Sequence, residues 1–332
     1  MMDPRSPSRP DADRIEGGSF IFIIGAPRSG TTWLHRMLEQ HPAIATAPRE
    51  LTLFSRYLAP AYASFRKEKG HMDRGDWQQG LPLLLSEAEF IDGLRAITAS
   101  VYQRVLRTKP GASLILDKHP GYTYHLPLIE QLVPGGRFIH LLRDGRETAI
   151  SMLSARAKMG FGAGTMEDAA REWAESVRLA RLHGARVGEA RFMEVRYEDF
   201  VRNAEDGLGK VLGFCGLPLD QAWCAKVAEE YNVERKQVSG GDTSLNQLRR
   251  TPGAIWRTRM DLRQRFVFER VAGAWLQTCG YDRPGWWRMG PLDALLMALY
   301  PLQLRVRRAV AAARAVARAT VFKQVPAGQN EP

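Results

Sequence analysis

The hydropathy pattern begins with an unbroken apolar run, Phe20-Ile21-Phe22-Ile23-Ile24. Five consecutive β-formers without alternation predict a strand covered on both faces, as in a parallel sheet. Three later runs read the same way: Ser113 to Asp117, Arg137 to Leu142 and Arg191 to Val195. A shorter strand, Ala43 to Thr46, follows the helix-stopping His41-Pro42. Between these runs the apolar positions recur at helical spacing. They predict helices over about 30–40, 51–66, 87–107, 123–132, 144–158, 166–187, 200–215, 220–231 and 262–278. Phe90, Leu94, Ile97, Val101 and Val105 form the clearest stripe. Asp144, with Glu147 three residues on, predicts a capping box. Lys69 to Gly80 reads as an exposed loop.

Strands alternating with helices predict an α/β fold, with a central parallel sheet flanked by helices. Such sheets bind ligands beyond the carboxyl ends of their strands. Gly25, Lys118 and Arg143 each close a predicted strand. Three positions distant in sequence are therefore expected on one edge, and all three suit an anion.

Composition narrows the picture. At 332 residues and 45% hydrophobic, the chain can bury a full core, expected as one large domain over 19–285. Cys215, Cys224 and Cys279 are scattered, which argues against a disulfide scaffold or zinc site and fits a reducing, cytoplasmic setting. Residues 1–18 are polar and Pro-rich, without the apolar centre of a signal peptide, and are expected to be disordered. No run reaches the roughly 18–20 apolar residues of a membrane-spanning helix.

The net charge is +11. Six cations, with no Asp or Glu, lie between Ala294 and Asn330. Leu295, Leu296, Leu299, Leu302, Val306 and Val310 give this segment an apolar face. Residues 286–332 therefore read either as a basic amphipathic helix on an anionic membrane surface, or as one packed on the domain or in a dimer. There is no zinc-finger spacing and no RNP-like signature, so nucleic acid is a weak reading.

The strand Phe20–Ile24 runs into Gly25-Ala26-Pro27-Arg28-Ser29-Gly30 and then a helix. Strand, small-residue loop and helix together aim backbone N–H groups and a positive helix end at a phosphate. The nucleotide motif G-x-x-x-x-G-K-[ST] needs Lys after its second glycine. Gly25 and Gly30 keep that spacing, but Thr31 replaces the Lys and the cation has moved to Arg28.

The stretch Pro27-Arg28-Ser29-Gly30-Thr31-Thr32-Trp33-Leu34 resembles the 5′-phosphosulfate loop of sulfotransferases that use PAPS (3′-phosphoadenosine 5′-phosphosulfate). Leu142 to Ser151, reading LRDGRETAIS, resembles that family's 3′-phosphate motif, with Gly145 where Pro is common. Val195 to Phe200 and Gly213 to Pro218 resemble a third segment, and Gly253 to Arg257 a fourth. The resemblance covers about 20–282 and implies a sulfotransferase fold like that of P-loop NTPases. It also implies PAPS as co-substrate, with no metal required.

It further implies roles. Arg28, Ser29, Gly30, Thr31 and Thr32 would cradle the phosphosulfate. Trp33 would stack on adenine, with Tyr197 nearby. Arg143 and Ser151, eight residues apart, would clamp the 3′-phosphate, and Arg257 is a second candidate there, with Arg249 or Arg250 as alternatives. Lys118 would stabilise charge on the leaving oxygen. Residues 238–251 could form a lid.

Two residues compete as base. Glu50 lies nine residues after His41, a register resembling the heparan and tyrosylprotein types. A carboxylate among cations stays ionised and can accept a proton. His119 follows Lys118 directly, one residue short of the aryl and steroid register. Glu50 is the preferred base. Its register suggests a glycan or other alkyl hydroxyl as acceptor, and the tail makes a lipid acceptor worth testing. Two other readings stand beside this one. The chain could be a P-loop kinase with a degenerate loop, or a membrane-recruited nucleotide-binding protein without turnover.

Overall fold

A computed structural model describes residues 19–76, 79–231 and 255–281, together with residues 299 and 305–306. Most of the basic 286–332 segment, residues 1–18 and the expected lid at 238–251 lie outside the described residues.

Five strands form one parallel sheet in the order β2-β3-β1-β4-β5. They are β1 (Phe20–Ile24), β2 (Ile44–Thr46), β3 (Leu114–Lys118), β4 (Arg137–Leu142) and β5 (Phe192–Arg196). β1 is central, with Ile23 beside Lys118 of β3 and Ile24 beside His140 of β4. Every residue of β1 is buried, as its unbroken apolar run predicts.

The pleat divides those residues between two cores. Phe20, Phe22 and Ile24 enter one cluster, with Phe138 and with residues of α3 (Glu87–Arg107) and α4 (Leu126–Leu132). Ile21 and Ile23 enter the other, with α1 (Thr31–Leu38) and with three helices from the later chain. Those three are α7 (Tyr197–Arg202), α8 (Ala204–Cys215) and α9 (Gln221–Glu230). A third cluster joins α5 (Gly145–Met159), α6 (Met166–Val187), α10 (Ile255–Arg259) and α11 (Leu262–Thr278).

Several local expectations are revised. The helix expected from 51 opens as a π-helical turn over Leu53–Leu58, after Thr52 in the left-handed region (φ 50°). It continues as α2 (Ala59–Asp73), so the expected 69–80 loop is helical over its first five residues. The helix expected over 200–215 is two helices, because Asn203 leaves helical geometry and caps the second through Asp206 N–H. The helix expected over 123–132 begins as a 3-10 turn, Pro120–His125.

Candidate active site

The loop after β1 holds its shape through unusual backbone geometry. Gly25, Arg28 and Gly30 all take positive φ, at 147°, 70° and 102°. Gly30 has a second reason to be glycine: a Cβ there would meet the Tyr197 ring at 2.7 Å. A non-glycine residue such as Arg28 in the left-handed region costs on the order of 1–2 kcal/mol, and such strain clusters at ligand sites. Gly25 N–H donates to Thr123 Oγ1 at 3.3 Å, which ties the loop to the turn after β3. Ser29 Oγ is buried and has no hydrogen-bond partner among the described residues. An orphaned hydroxyl in a loop at a helix N-terminus fits an anionic ligand.

The phosphate-clamp candidates converge as expected. Arg28 Nε donates to Ser151 Oγ at 3.3 Å, and Arg143 Nη1 donates to the Arg28 carbonyl at 3.2 Å. Arg143 comes from the end of β4 and Ser151 from the second turn of α5. The Arg143 guanidinium lies 4.5 Å from the Tyr197 ring centroid, a cation–π contact. The Arg143 carbonyl accepts from Trp173 Nε1 at 3.0 Å. Trp173 also explains Gly145, since a Cβ at that position would meet the indole at 2.5 Å.

Asp144 caps α5 by accepting from Arg146 N–H at 2.9 Å, but the expected capping box does not form. The Asp144 backbone N–H donates to Glu198, and Glu147 instead accepts from Trp256 N–H at 2.9 Å. Glu147 thereby links α5 to α10, and burial raises its carboxyl above the ordinary range.

The transfer candidates meet on the other side of the loop. Lys118 is 5% exposed; its Nζ donates to Thr32 Oγ1 at 3.0 Å and to Glu50 Oε1. His119 Nε2 lies 3.7 Å from Glu50 Oε2. Burial holds the His119 imidazole below its ordinary pKa, against the opposing pull of Glu50. Lys118 thus brings a cation from β3 to a loop that has Thr31 where the nucleotide-triphosphate motif has its Lys.

Asp117, just before Lys118, was not legible as a site residue. Its buried Oδ2 accepts from Tyr102 at 2.7 Å and from Tyr122 at 2.9 Å. Tyr122 in turn accepts from Leu53 N–H at 3.1 Å. This network joins the strand carrying Lys118 to the π-helical turn beside Glu50.

A cavity of about 460 Å³ runs across the site. Arg28, Gly30, Thr31, Thr32, Arg143 and Ser151 line one part of it, and Glu50, His119 and Gly121 another. Tyr124, Phe161 and Glu172 also line it.

Three further candidates, Trp33, Tyr197 and Arg257, sit at the margin of the cavity or outside it. Trp33 reaches the cavity wall, but its ring is 1% exposed. It packs edge-on against Tyr197 and Phe200 and donates to the Tyr231 carbonyl at 3.0 Å. The ring thus lies on the face of α1 that meets α7, at the edge of the cavity. Tyr197 is also buried; it supports Arg143 and is absent from the cavity lining. Arg257 is exposed, with its guanidinium 4.7 Å from the Trp256 ring centroid, and it does not line the cavity.

A parallel sheet with a glycine-bounded anion loop, backed by cations from two neighbouring strands, defines an α/β protein of P-loop-like architecture. The particular family follows from comparison: the sulfotransferase family model matches residues 20–221, and the chain belongs to that family. Its members move a sulfuryl group from PAPS to an acceptor.

Protein-tyrosine sulfotransferase 2 of Gallus gallus is 24% identical over 81% of this chain and 68% of its own length. Protein-tyrosine sulfotransferase A of Caenorhabditis elegans is 26% identical over 71% of this chain and 57% of its own. The chain thus spans only part of these relatives. The sulfotransferase domain of the Synechococcus PCC 7002 olefin synthase shares the fold, with a TM-score of 0.51 and 22% identity. That match covers 81% of this chain and 97% of the domain.

Proposed function

We propose that this protein transfers a sulfuryl group from PAPS to an acceptor hydroxyl, with Glu50 as the base. The observation that carries the reading is the convergence of Lys118, Thr32 and Glu50 beside the Arg28–Arg143–Ser151 cluster. One cluster suits a nucleotide phosphate, and the other holds a proton acceptor against a buried cation. PAPS would supply an activated sulfuryl group, held by the loop and by Arg143.

The chain's own residues account for the remaining work. Glu50 Oε2, the oxygen not bonded to Lys118, is available to take the hydroxyl proton. Lys118, buried between loop and base, meets negative charge developing on the leaving oxygen. Arg28 adds a second cation there. Arg143 and Ser151 favour a nucleotide bearing a 3′-phosphate over one without it.

The acceptor is a further proposal. The names of the relatives add the tyrosyl hydroxyl to the alkyl hydroxyls that the Glu50 register suggests. Tyr124 and Phe161 line the cavity with Glu172, whose carboxylate meets no cation among the described residues. Burial and the nearby Asp168 raise it above the ordinary carboxyl range. That wall suits an acceptor with an apolar or aromatic body and no negative charge. For the 286–332 segment we keep the proposal of a cytoplasmic enzyme touching anionic membranes, tested by cosedimentation with phosphatidylserine vesicles.

The direct test is turnover of labelled PAPS over matched tyrosyl peptides, neutral glycans and lipid alcohols. Label transfer that is lost in Glu50→Gln supports the reading. Hydrolysis of Mg-ATP without PAPS turnover would support the kinase alternative instead.

A further inference from the structure

Three side chains that line the cavity have no part in the transfer chemistry: Tyr124, Phe161 and Glu172. They come from three elements. Tyr124 belongs to the 3-10 turn Pro120–His125, which follows His119 and carries Gly121 on the Glu50 side of the cavity. Phe161 lies in the link between α5 and α6, and Glu172 in the second turn of α6. The Tyr124 hydroxyl donates to the Glu172 carbonyl at 3.4 Å, which joins the turn to the helix. Phe161 stands between Gly160 and Gly162, both at positive φ (77° and 109°). A Cβ on Gly162 would meet the Met152 carbonyl oxygen at 2.6 Å, so the link lies close against α5.

The carboxylates of α6 differ in their partners. Asp168 accepts from Thr165 Oγ1 at 2.6 Å, Glu167 pairs with Arg171 at 2.7 Å, and Glu175 pairs with Arg178 at 2.7 Å. Of these four, Glu172 alone has neither an ion pair nor a side-chain hydrogen bond among the described residues. Burial and Asp168 both penalise its charge. Its field adds to burial in pushing Tyr124 up to about 12, so the phenol stays neutral.

A half-buried carboxylate beside two partly exposed aromatic rings suits an organic cation. Phe161 is 53% and Tyr124 40% exposed, so both rings have surface left for a ligand. The face of an aromatic ring attracts an ammonium, and a carboxylate pairs with it. A bound metal ion would take several oxygen ligands, and no group of three His, Cys, Asp or Glu able to hold one occurs among the described residues. The arginines that line the cavity, Arg28 and Arg143, gather at the loop end with Ser151. Charge along the cavity is thus divided: positive where the phosphates would lie, negative on the wall beyond the His119 turn.

We propose that Tyr124, Phe161 and Glu172 form a specificity site for an acceptor that carries a protonated amine as well as its hydroxyl. The inference rests on the sulfotransferase reading and names the acceptor class within it. Glu172 touches no reacting atom; it acts on acceptor binding. Its carboxylate pairs with the ammonium, and the two rings contact the ammonium and the methylenes beside it.

The test uses the full chain and two sets of matched acceptors. The phenol set is tyramine, para-propylphenol and para-hydroxyphenylpropanoate; the alkyl set is aminohexanol, heptanol and hydroxyheptanoate. In at least one set, kcat/KM is expected to be about tenfold higher for the ammonium than for the neutral member, and lowest for the carboxylate. Glu172→Gln, which keeps size and polarity, should raise KM for the ammonium by about tenfold. It should leave kcat, and KM for the neutral member, within about twofold. Phe161→Leu keeps an apolar wall without the π face, and should raise the ammonium KM by about threefold. Unchanged affinity for PAP (the desulfated product) in both variants checks that they are folded. A tyrosyl peptide with Lys beside the tyrosine, against the same peptide with Glu, separates the sources of the amine. A preference for Lys places it on a peptide side chain, and turnover of tyramine with neither peptide accepted places it on a small molecule.

No preference for the ammonium in either set, or a preference unchanged by Glu172→Gln, would overturn the inference. Absence of both PAP binding and PAPS turnover in wild type would instead defeat the sulfotransferase reading. Calorimetric titration of wild type and Glu172→Gln with tyramine would still report on the amine site.

Discussion

At Gly145 the Trp173 indole occupies the space a side chain would need. A Cβ at residue 145 would lie 2.5 Å from Trp173 Cδ2 and 2.7 Å from two further ring atoms. Trp173 is 0% exposed, packs near Phe268 and is held by its hydrogen bond to the Arg143 carbonyl. The ring cannot swing aside cheaply. Overpacking of this kind costs about 1–3 kcal/mol. Against it stands the preference of a helix for Ala over Gly, at most about 1 kcal/mol and less at the first helical position. Gly145→Ala is therefore expected to lose about 1–2 kcal/mol net, measured by urea unfolding at fixed pH. PAP affinity should fall with it, because the displaced indole holds the backbone of Arg143. Trp173→Ala alone should cost about 3–5 kcal/mol. In the Trp173→Ala background, Gly145→Ala should cost nothing, a coupling of at least about 1 kcal/mol between the two sites. A single variant within about 0.5 kcal/mol of wild type, or costs that simply add, would refute the packing argument.

Lys118→Met should lower kcat by about 10²–10³, the usual effect of losing one preorganised charge stabiliser, with PAP affinity little changed; a loss below about tenfold would contradict its role. Burial, with Lys118 and Arg36 nearby, pushes His35 down to about 3, and burial with Arg186 and Arg191 pushes His183 down to about 4. Both folded-state values lie below the unfolded value near 6.5, so the unfolded chain binds more protons and stability falls as pH drops from 6.5 toward 3. His35→Gln should flatten that slope by up to about 1.4 kcal/mol per pH unit, read from urea midpoints between pH 7 and 5, and an unchanged slope would show that His35 titrates normally. Arg257→Ala should weaken PAP binding less than Arg143→Ala, since Arg257 is stacked on Trp256 outside the cavity; equal losses would place Arg257 at the phosphate.

Much of the frame was legible because it obeys local rules. The β1 run is buried on both faces, and Gly25, Lys118 and Arg143 end strands that are neighbours in one parallel sheet. Parallel sheets collect strand ends on one edge, so sequence-distant motifs meet there without further information. What failed depended on tertiary partners. The Asp144–Glu147 capping box was outcompeted by Glu198 and Trp256, both remote in sequence. The packing of the Trp33 ring against Tyr197 and Phe200 was likewise not readable, because nothing local says which face of its helix meets them. Asp117 looked like the end of a strand, and its two tyrosine partners come from α3 and from the turn after β3. The break at Asn203 was readable in principle, since Asn with an acidic residue three positions on is a cap signal inside an otherwise helical pattern.

The measurement closest to the central claim is calorimetric titration of the protein with PAP, beside ATP with Mg²⁺, repeated with Arg143→Ala. The arrangement of Arg28, Arg143 and Ser151 predicts that PAP binds, that Arg143→Ala abolishes or severely weakens binding, and that Mg-ATP competes poorly. Tight Mg-ATP binding with no response to PAP would contradict it.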